Sequence, residues 1–254
     1  MKSYLSTCSV LGVNVAVTDM KKSIEFLTVN LESNRGQYVC VSNSHTVVTA
    51  CDNPSYMDVQ NSACMVLPDG KPLSVVQRIK GCKGACKVSG PDIMFELVSG
   101  KYNQYKHFFY GATNNTLDSL KANLIAVNPG LQIVGMYSPP FRPLTNDEDC
   151  QIVNLINNSN ADFVWVGLGA PKQEIWMRNH SLNIDDANPR VINALMLGVG
   201  AAFDFHAGTI KRAPLWMQKC GLEWLYRLTQ DPKRLFKRYF VTNTKFILYN
   251  LLGK

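Results

Sequence analysis

Short apolar runs alternate along this chain with longer segments in which apolar residues recur every three or four positions. The short runs are typical of buried strands, and the longer periodicity is typical of amphipathic helices. Strands are predicted at residues 11–17, 38–41, 46–49, 65–67, 107–110, 131–136, 163–166 and 191–199. Helices are predicted near residues 19–31 (capped by Thr18), 71–79, 91–98, 116–126 and 147–157.

Strands that alternate with helices at this spacing predict an α/β fold built on a doubly wound, mostly parallel sheet. Such sheets bind ligands beyond the carboxyl ends of their strands. The residues predicted at or just after strand ends are Thr49, Asp69, Gly90, Gly111 and Gly167. The alternation stops near residues 209–213, so we predict a main domain at 1–210 and a basic helical appendage at 211–254.

Residues 161–177 contain the clearest local signal, because a strand breaks there on glycines and a helix follows. Gly167 and Gly169 form a small-residue turn, and Pro171 suits the first position of a helix. Backbone N–H groups and the helix dipole at such a turn favour an anion such as a phosphate. An ordinary strand–helix turn is the alternative, since a short glycine-rich turn is a weak motif. The first helical turn would carry Lys172, Gln173 and Glu174.

The chain has 254 residues, of which 46% are hydrophobic and 18% charged, an ordinary globular composition. Its net charge of +7 is concentrated at the C-terminal end. Residues 211–254 contain ten Lys and Arg against two acids, a net +8, and the remainder carries −1. This asymmetry predicts that the tail binds a polyanion or an anionic membrane.

The tail also has the pattern of a basic amphipathic helix with aromatic residues. Trp224 and Leu228 lie on one helical face, and Lys237 belongs to a basic cluster beside Phe236 and Tyr239. This pattern suits the surface of an anionic membrane. The alternatives are a helix packed on the body with a solvated basic face and, as a weaker interpretation, a nucleic-acid-binding helix.

The eight cysteines show no CxxC pair, which favours reduced thiols in a cytoplasmic protein. We find no signal peptide and no apolar run of about 18 residues, so no transmembrane span is expected. These features predict a cytoplasmic protein peripheral on the inner face of the membrane. The sequence leaves formation of a homo-oligomer open.

Three groups of polar residues are candidates for chemistry. Asp69 lies in a Pro-Asp-Gly turn, where it is either a turn residue or, if burial tunes it, a general base. Residues 147–149 (Asp-Glu-Asp) have the spacing of a metal motif but are favoured as a helix start. Asp204 and His206 form either a satisfied polar pair or a substrate contact. We expect no metal site and no cofactor.

Several ordered motifs together resemble the WecG/TagA/CpsF glycosyltransferases (glycosyltransferase family 26) over nearly the whole chain. The matching segments are Val48-Thr49, Leu67-Pro68-Asp69-Gly70, Ser89-Gly90-Pro91-Asp92, Pro129-Gly130, Ser138-Pro139-Pro140-Phe141, residues 166–174, residues 198–208 and residues 212–239. The resemblance implies a Rossmann-like fold. It also implies an inverting transferase that moves a sugar from a UDP-sugar to a polyprenyl-diphosphate-linked sugar, in surface-polysaccharide or teichoic-acid linkage synthesis.

The resemblance also implies roles for individual residues. Asp69 becomes the general base and Thr49 a contact near the sugar or the acceptor. The implied UDP-sugar contacts are Gly169, Gln173 and Glu174, and the implied diphosphate ligands are Arg227, Arg234 and Arg238. The predicted substrate-binding set is completed by Lys87, Gly90, Asp92, Gly111, Gly167 and Lys172.

Two departures from the family pattern leave the donor sugar open. The family commonly has an Asn soon after the Thr, where this chain has Ala50-Cys51-Asp52-Asn53, and it often has Arg where Lys87 stands. Lysine keeps the charge but loses the bidentate fork. A nucleotide-sugar epimerase or dehydrogenase is disfavoured because no GxGxxG turn follows the first strand. A membrane-docked nucleotide-sugar-binding module without turnover is the non-catalytic alternative.

Overall fold

The computed structural model describes residues 5–182 and 190–253, except the side chain of Arg234. A six-stranded sheet lies at its centre, and every neighbouring pair of strands in it is parallel. A separate antiparallel hairpin is formed by β1 (Thr7–Val10) and β2 (Val13–Ala16). The sheet, in the order β4-β3-β8-β7-β5-β6, consists of β3 (Tyr38–Ser42), β4 (Met65–Pro68), β5 (Lys106–Gly111), β6 (Gln132–Tyr137), β7 (Phe163–Gly167) and β8 (Leu195–Gly198).

Helices cover both faces of the sheet, because successive strand residues point to opposite sides and both sides are apolar. One face packs against α1 (Met20–Val29), α5 (Gly90–Val98), α6 (Asn114–Val127) and α9 (Ala202–Ala207). The other packs against α2 (Ser44–Asp52), α3 (Pro54–Asn61), α4 (Lys71–Ile79), α7 (Asn146–Asn158) and α8 (Lys172–Asn179). The predicted α/β, Rossmann-like doubly wound fold is confirmed.

The C-terminal region is helical, as predicted, and consists of α10 (Leu215–Cys220), α11 (Glu223–Gln230) and α12 (Pro232–Leu251). The last of these helices lies against α2 and buries Leu235 and Phe246. Its other anchor is Asp52, which accepts hydrogen bonds from Lys245 Nζ at 2.6 Å and from the Tyr249 hydroxyl at 2.8 Å. No described helix combines the length and the apolarity that crossing a bilayer requires.

The strand predicted at residues 46–49 is wrong, because these residues belong to α2. A capping box at Asn43 starts this helix. The Asn43 side chain accepts hydrogen bonds from the backbone N–H groups of His45 and Thr46, and the Thr46 hydroxyl accepts one from the backbone N–H of Asn43. Such a cap satisfies donors that a helix start leaves unpaired, and it outweighs the weak strand preference of β-branched residues. Thr49 therefore lies inside a helix and not at a strand end.

Three other predicted boundaries also differ from the structure. The strand predicted at residues 11–17 is shortened to Val13–Ala16, because Leu11 and Gly12 form the hairpin turn with φ angles of 50° and 85°. Such angles favour glycine and close a two-residue hairpin. The last sheet strand covers only Leu195–Gly198, and the cap of α1 is Asp19, not Thr18. The predicted boundary near residues 209–213 follows α9, where the sheet is complete.

Candidate functional site

The carboxyl end of β4 brings Asp69 to the edge of the sheet where ligands of this fold bind. Ser42, at the end of β3, pairs with Pro68, and its carbonyl accepts a hydrogen bond from the backbone N–H of Asp69 at 2.7 Å. From the part of the chain that the structure describes, no hydrogen bond reaches the Asp69 carboxylate. Its oxygens therefore remain available to an incoming group.

The surroundings of Asp69 are densely packed and charged. Burial raises the pKa of Asp69 to about 6. The positive charges of Lys87 and Arg227 oppose this rise in the pKa, whereas the negative charges of Glu223 and Asp92 add to it. A carboxylate with a pKa just below neutral pH is ionised in the cell and still accepts a proton readily, as a general base requires.

A network of ion pairs lies beside this carboxylate and joins the tail to the body. Lys87 Nζ donates to Glu223 Oε2 at 2.8 Å, and Arg212 Nε donates to Glu223 Oε1 at 3.3 Å. The same guanidinium donates to Asp92 Oδ1 at 2.6 Å and to the Ser89 hydroxyl at 3.3 Å. Arg212 and Glu223 belong to the tail, and the other three residues precede or begin α5. The tail thus contributes directly to the charge beside Asp69.

Asp92, the acidic residue that the body contributes to this network, is held by hydrogen bonds. Burial alone would raise the pKa of Asp92, but hydrogen bonds from Arg212 and from the Ser89 hydroxyl hold it below its usual value. Gly90 starts α5 between these residues, and a Cβ there would lie 3.0 Å from the Val199 carbonyl oxygen. The small residue therefore allows α5 to approach the end of β8 closely.

The three predicted tail arginines occupy different positions. The Arg227 guanidinium lies 5.3 Å from the centroid of the Phe205 ring and is close enough to Asp69 to influence its pKa. Arg238 packs on Tyr239, also at 5.3 Å, and its Nε is buried with no hydrogen-bond partner among the described residues. The side chain of Arg234 lies outside the described residues.

Arg238 belongs to the neighbourhood of α2. Burial lowers the pKa of His45, and the positive charge of Arg238 lowers it further. The His45 carbonyl oxygen accepts a hydrogen bond from the Thr49 hydroxyl at 2.8 Å. Thr49 is therefore engaged with its own helix, one turn along α2 from His45.

The turn between β7 and α8 differs from the end of β4 because its polar side chains point inward. Gln173 and Glu174 are 3% and 0% exposed, and Gln173 Nε2 donates to Glu174 Oε1 at 2.8 Å. Gln173 Oε1 accepts a hydrogen bond from the backbone N–H of Gly169 at 3.1 Å. Lys172 is exposed, and a Cβ at Gly169 would meet open space. Of the residues predicted to contact the UDP-sugar at this turn, Gly169 and Lys172 face outward, whereas Gln173 and Glu174 do not.

A buried hydrogen-bonded chain links this turn to β3. Glu174 Oε2 accepts from the Tyr56 hydroxyl at 3.1 Å, and that hydroxyl accepts from Gln60 Nε2 at 2.8 Å. Gln60 Oε1 in turn accepts from the Ser42 hydroxyl at 2.6 Å. Burial raises the pKa of Glu174, and the hydrogen bonds from Gln173 and Tyr56 counteract that effect. The two strand ends are thus joined beneath the surface.

The remaining predicted glycines allow close packing at the ends of β5 and β7. Gly111 and Gly167 are partners in the β5–β7 register. A Cβ at Gly111 would lie 2.6 Å from the Gly167 carbonyl oxygen, and its φ of 126° disfavours any other residue. A Cβ at Gly167 would lie 2.8 Å from the Phe203 ring.

The other two candidate clusters are held by internal contacts. Thr145 and Glu148 form a capping box at the start of α7, and Asp149 pairs with His180 at 3.1 Å. His206 Nε2 lies 2.9 Å from the Pro91 carbonyl oxygen and its ring stacks on Phe95. Among residues 5–182 and 190–253, no three His, Cys, Asp or Glu side chains converge as a metal site.

Sequence reasoning missed Arg212 and Glu223 as members of the site, and it missed the buried partners Tyr56 and Gln60. Glu223 is one of only two acids among ten basic residues in the tail, and that contrast was a usable signal. Tyr56 and Gln60 gave no such signal, because their role depends on how α3 packs against α8.

Comparison with known proteins identifies the family to which this chain belongs. The chain matches the glycosyl transferase WecG/TagA/CpsF family over residues 8–254. A relative from Bacillus spizizenii is 30% identical over 208 residues, which cover 82% of this chain and 76% of the relative. Relatives from Bacillus subtilis and Staphylococcus aureus are 26% and 27% identical; they cover 91% and 92% of this chain, and 86% and 89% of their own lengths are matched. All three are named N-acetylglucosaminyldiphosphoundecaprenol N-acetyl-beta-D-mannosaminyltransferase. The chain therefore belongs to the glycosyl transferase WecG/TagA/CpsF family.

Proposed function

We propose that this glycosyltransferase moves a sugar from a UDP-sugar to a polyprenyl-diphosphate-linked sugar, with inversion at the anomeric carbon. The observation that carries the proposal is the Asp69 carboxylate at the end of β4, which no described residue bonds and which lies beside cations contributed by the body and the tail. The reaction would serve synthesis of a bacterial surface polysaccharide or a teichoic-acid linkage. N-Acetylmannosamine is the first donor sugar to test, since the relatives' names specify it. The other donor sugars to test are the uronate of N-acetylmannosamine, glucose and glucuronate.

The proposed chemistry is a single displacement. The acceptor hydroxyl oxygen forms a bond to the anomeric carbon while its proton passes to Asp69. The bond from the anomeric carbon to the β-phosphate oxygen breaks, and its electron pair leaves with UDP. Attack from the face opposite the leaving group inverts the configuration. General-base assistance of this kind contributes roughly 10²- to 10⁴-fold in rate.

The departing diphosphate needs positive charge, and the cations of this site are placed to supply it. Arg227 and Lys87 both lie close enough to Asp69 to lower its pKa. Arg238, whose Nε lacks a partner among the described residues, and Arg234 are proposed to hold the diphosphate of the acceptor or of UDP. Guanidinium groups suit this role because they bind phosphate oxygens in pairs.

The turn between β7 and α8 is proposed to receive the nucleotide. Gly169 and Lys172 would contact it, because they face outward. Gln173 and Glu174 would act from beneath by fixing the Gly169 backbone. Gly90, Asp92, Gly111 and Gly167 line the neighbouring strand and helix ends, and Thr49 is assigned to the acceptor side through α2.

The outer face of α12 is proposed to dock on the cytoplasmic face of an anionic membrane. Phe236 and Phe240 stack at 6.2 Å and are 61% and 67% exposed, and Leu251 is 77% exposed. Lys233 and Lys237 are exposed beside the two phenylalanines. Apolar side chains add salt-resistant affinity, and each lysine near an anionic surface contributes about 1 kcal/mol. A protein there would meet its polyprenyl-linked acceptor directly.

The test of the function is a screen of UDP-sugars against a synthetic short-chain lipid-diphosphate-linked N-acetylglucosamine, read by mass spectrometry. We expect one donor to add a single sugar residue to the acceptor, and NMR of the product to show inverted anomeric configuration. Donor binding without product from any UDP-sugar would instead support the binding module without turnover.

Membrane docking has its own test, sedimentation with phosphatidylglycerol vesicles. Phe236→Ser and Phe240→Ser should each weaken vesicle binding, whereas Ile79→Ser, at an 80% exposed position on α4, should not. The wild-type protein could instead fail to bind the vesicles and form a dimer, seen by sedimentation equilibrium, that Phe240→Ser dissociates. That result would mean that a second copy of the chain covers the outer face of α12.

A further inference from the structure

A lysine of the body that acts on the charge of the proposed base is paired with the tail. Lys87 Nζ donates to Glu223 Oε2 at 2.8 Å, yet Lys87 is also close enough to Asp69 to lower its pKa. The backbone supports this proximity, because the Val88 N–H donates to the Pro68 carbonyl oxygen at 2.8 Å. Lys87 therefore has three carboxylates within its influence, those of Glu223, Asp69 and Asp92, and among the described residues it bonds only Glu223.

Glu223 itself is held in place from the tail side. Its second oxygen accepts from Arg212 Nε at 3.3 Å, and the same guanidinium binds Asp92 at 2.6 Å. The side chains of Lys87, Glu223 and Arg212 are 19%, 20% and 25% exposed. Mostly buried charges are screened weakly by solvent and salt, so this arrangement is more persistent than a surface ion pair.

We propose that Glu223 is a positioning residue that holds Lys87 away from the Asp69 carboxylate and so keeps the base free for the acceptor proton. This inference rests on the proposed function, since Asp69 is its base. Without Glu223, the carboxylates left within the influence of Lys87 would be Asp92, which Arg212 and Ser89 already bind, and Asp69, which no described residue binds. A salt bridge to Asp69 would lower its proton affinity and occupy an oxygen that the acceptor hydroxyl needs.

The charges that face Asp69 fix the direction in which each substitution should shift its pKa. Lys87 and Arg227 lower the pKa of Asp69, and Glu223 and Asp92 raise it. Removing the charge of Glu223 subtracts a neighbouring anion and also frees Lys87, so both effects lower the pKa of Asp69. Removing the charge of Lys87 has the opposite sign.

The test is a direct titration of Asp69 by ¹³C NMR in aspartate-labelled protein, with the resonance assigned by its loss in Asp69→Asn. Glu223→Gln should shift the midpoint to lower pH and Lys87→Gln should shift it to higher pH. Glu96→Gln is the matched control, because Glu96 pairs with Lys101 at the same 2.8 Å on the surface. The control should leave the Asp69 midpoint unchanged.

Kinetics provide the second readout. In Glu223→Gln, kcat on the soluble acceptor should fall about tenfold, the acid limb of kcat/KM should move to lower pH, and KM for the UDP-sugar should change little. Glu223→Asp, which keeps the charge, should recover part of the loss. Lys87→Gln leaves the Glu223–Arg212 pair intact. It therefore tests the effect on Asp69 even if Glu223→Gln displaces the tail from the body.

The titration separates this inference from the proposed function, because it needs no turnover. If the wild-type protein transfers no sugar, but Glu223→Gln lowers and Lys87→Gln raises the Asp69 midpoint, the proposed function is overturned and the positioning role is kept. An active protein in which the two substitutions leave the Asp69 midpoint unmoved, or move it in the same direction, would overturn the positioning alone.

Discussion

The ends of β4 and β7 both present a carboxylate near a glycine turn, and the structure uses the two in opposite ways. Glu174 is fully buried and accepts hydrogen bonds from Gln173 and Tyr56. Asp69 is partly exposed, and no hydrogen bond from the described residues reaches its carboxylate. A satisfied buried carboxylate stabilises a fold, whereas an unsatisfied one beside cations is suited to proton transfer. Substitutions at the two ends should therefore separate stability from activity.

The largest effect should come from Asp69→Asn. Turnover of UDP-sugar with the soluble acceptor should fall by about 10²-fold or more, the scale of a lost general base. UDP binding measured by calorimetry should stay close to wild type, because the carboxylate is assigned to the acceptor proton. Wild-type turnover in the folded variant would remove Asp69 from the mechanism.

The second largest loss of turnover should come from Arg227→Ala. Loss of a hydrogen bond to a charged group costs about 1.5–3 kcal/mol, which corresponds to roughly 10- to 10²-fold in rate on the soluble acceptor. Arg227→Lys should recover part of it. Lys219→Ala, an exposed cation of α10, is the control and should turn over normally. Equal losses in Arg227→Ala and Lys219→Ala would mean that the tail acts only through its total charge.

Glu174→Ala should reveal the contrasting role of the β7 end. It leaves the Tyr56 hydroxyl and the Gln173 amide buried without their acceptor, which should cost about 2–3 kcal/mol of unfolding free energy. The melting temperature should drop by about 5 °C or more, whereas Glu25→Ala, at an exposed position of α1, should change it little. An unchanged melting temperature with weakened UDP binding would make Glu174 a direct ligand.

The smallest effect should be a gain in stability from Asp69→Asn. Because burial raises the pKa of Asp69 to about 6, the folded protein pays a penalty for the ionised form above that pH. The substitution should remove about 1 kcal/mol of this penalty at pH 8, after allowance for partial solvent exposure. The gain should disappear below about pH 3, where the carboxyl is protonated in both states. Denaturant unfolding at pH 8 and pH 3 measures it, and a loss of stability at pH 8 would contradict it.

The same contrast explains how far the sequence could lead. The apolar runs at residues 163–166 and 65–67 located the ends of β7 and β4 to within one residue, because buried parallel strands have a simple local signature. The direction of a polar side chain has no such signature. Gln173 and Glu174 follow a glycine turn in the sequence, but packing of α3 against α8 turns them toward Tyr56.

The tail presented the same difficulty at longer range. The charge count identified a basic appendage, and the helices of α10, α11 and α12 are present. It did not reveal that Glu223 meets Lys87 across more than a hundred residues, because such pairing depends on the docked position of α11. Lys245, one of the ten basic residues in that count, pairs with Asp52 of α2. The exposed stripe with Phe236 and Phe240 is a better candidate for the membrane face.

The pH dependence of kcat/KM on the soluble acceptor tests the central claim most directly, because it reports the ionisation of the group that takes the proton. With Asp69 as the base at a pKa of about 6, activity should be constant above neutral pH and fall tenfold per pH unit well below pH 6. A profile that stays flat down to about pH 4, the range of an ordinary aspartate, would contradict an Asp69 base tuned by its surroundings.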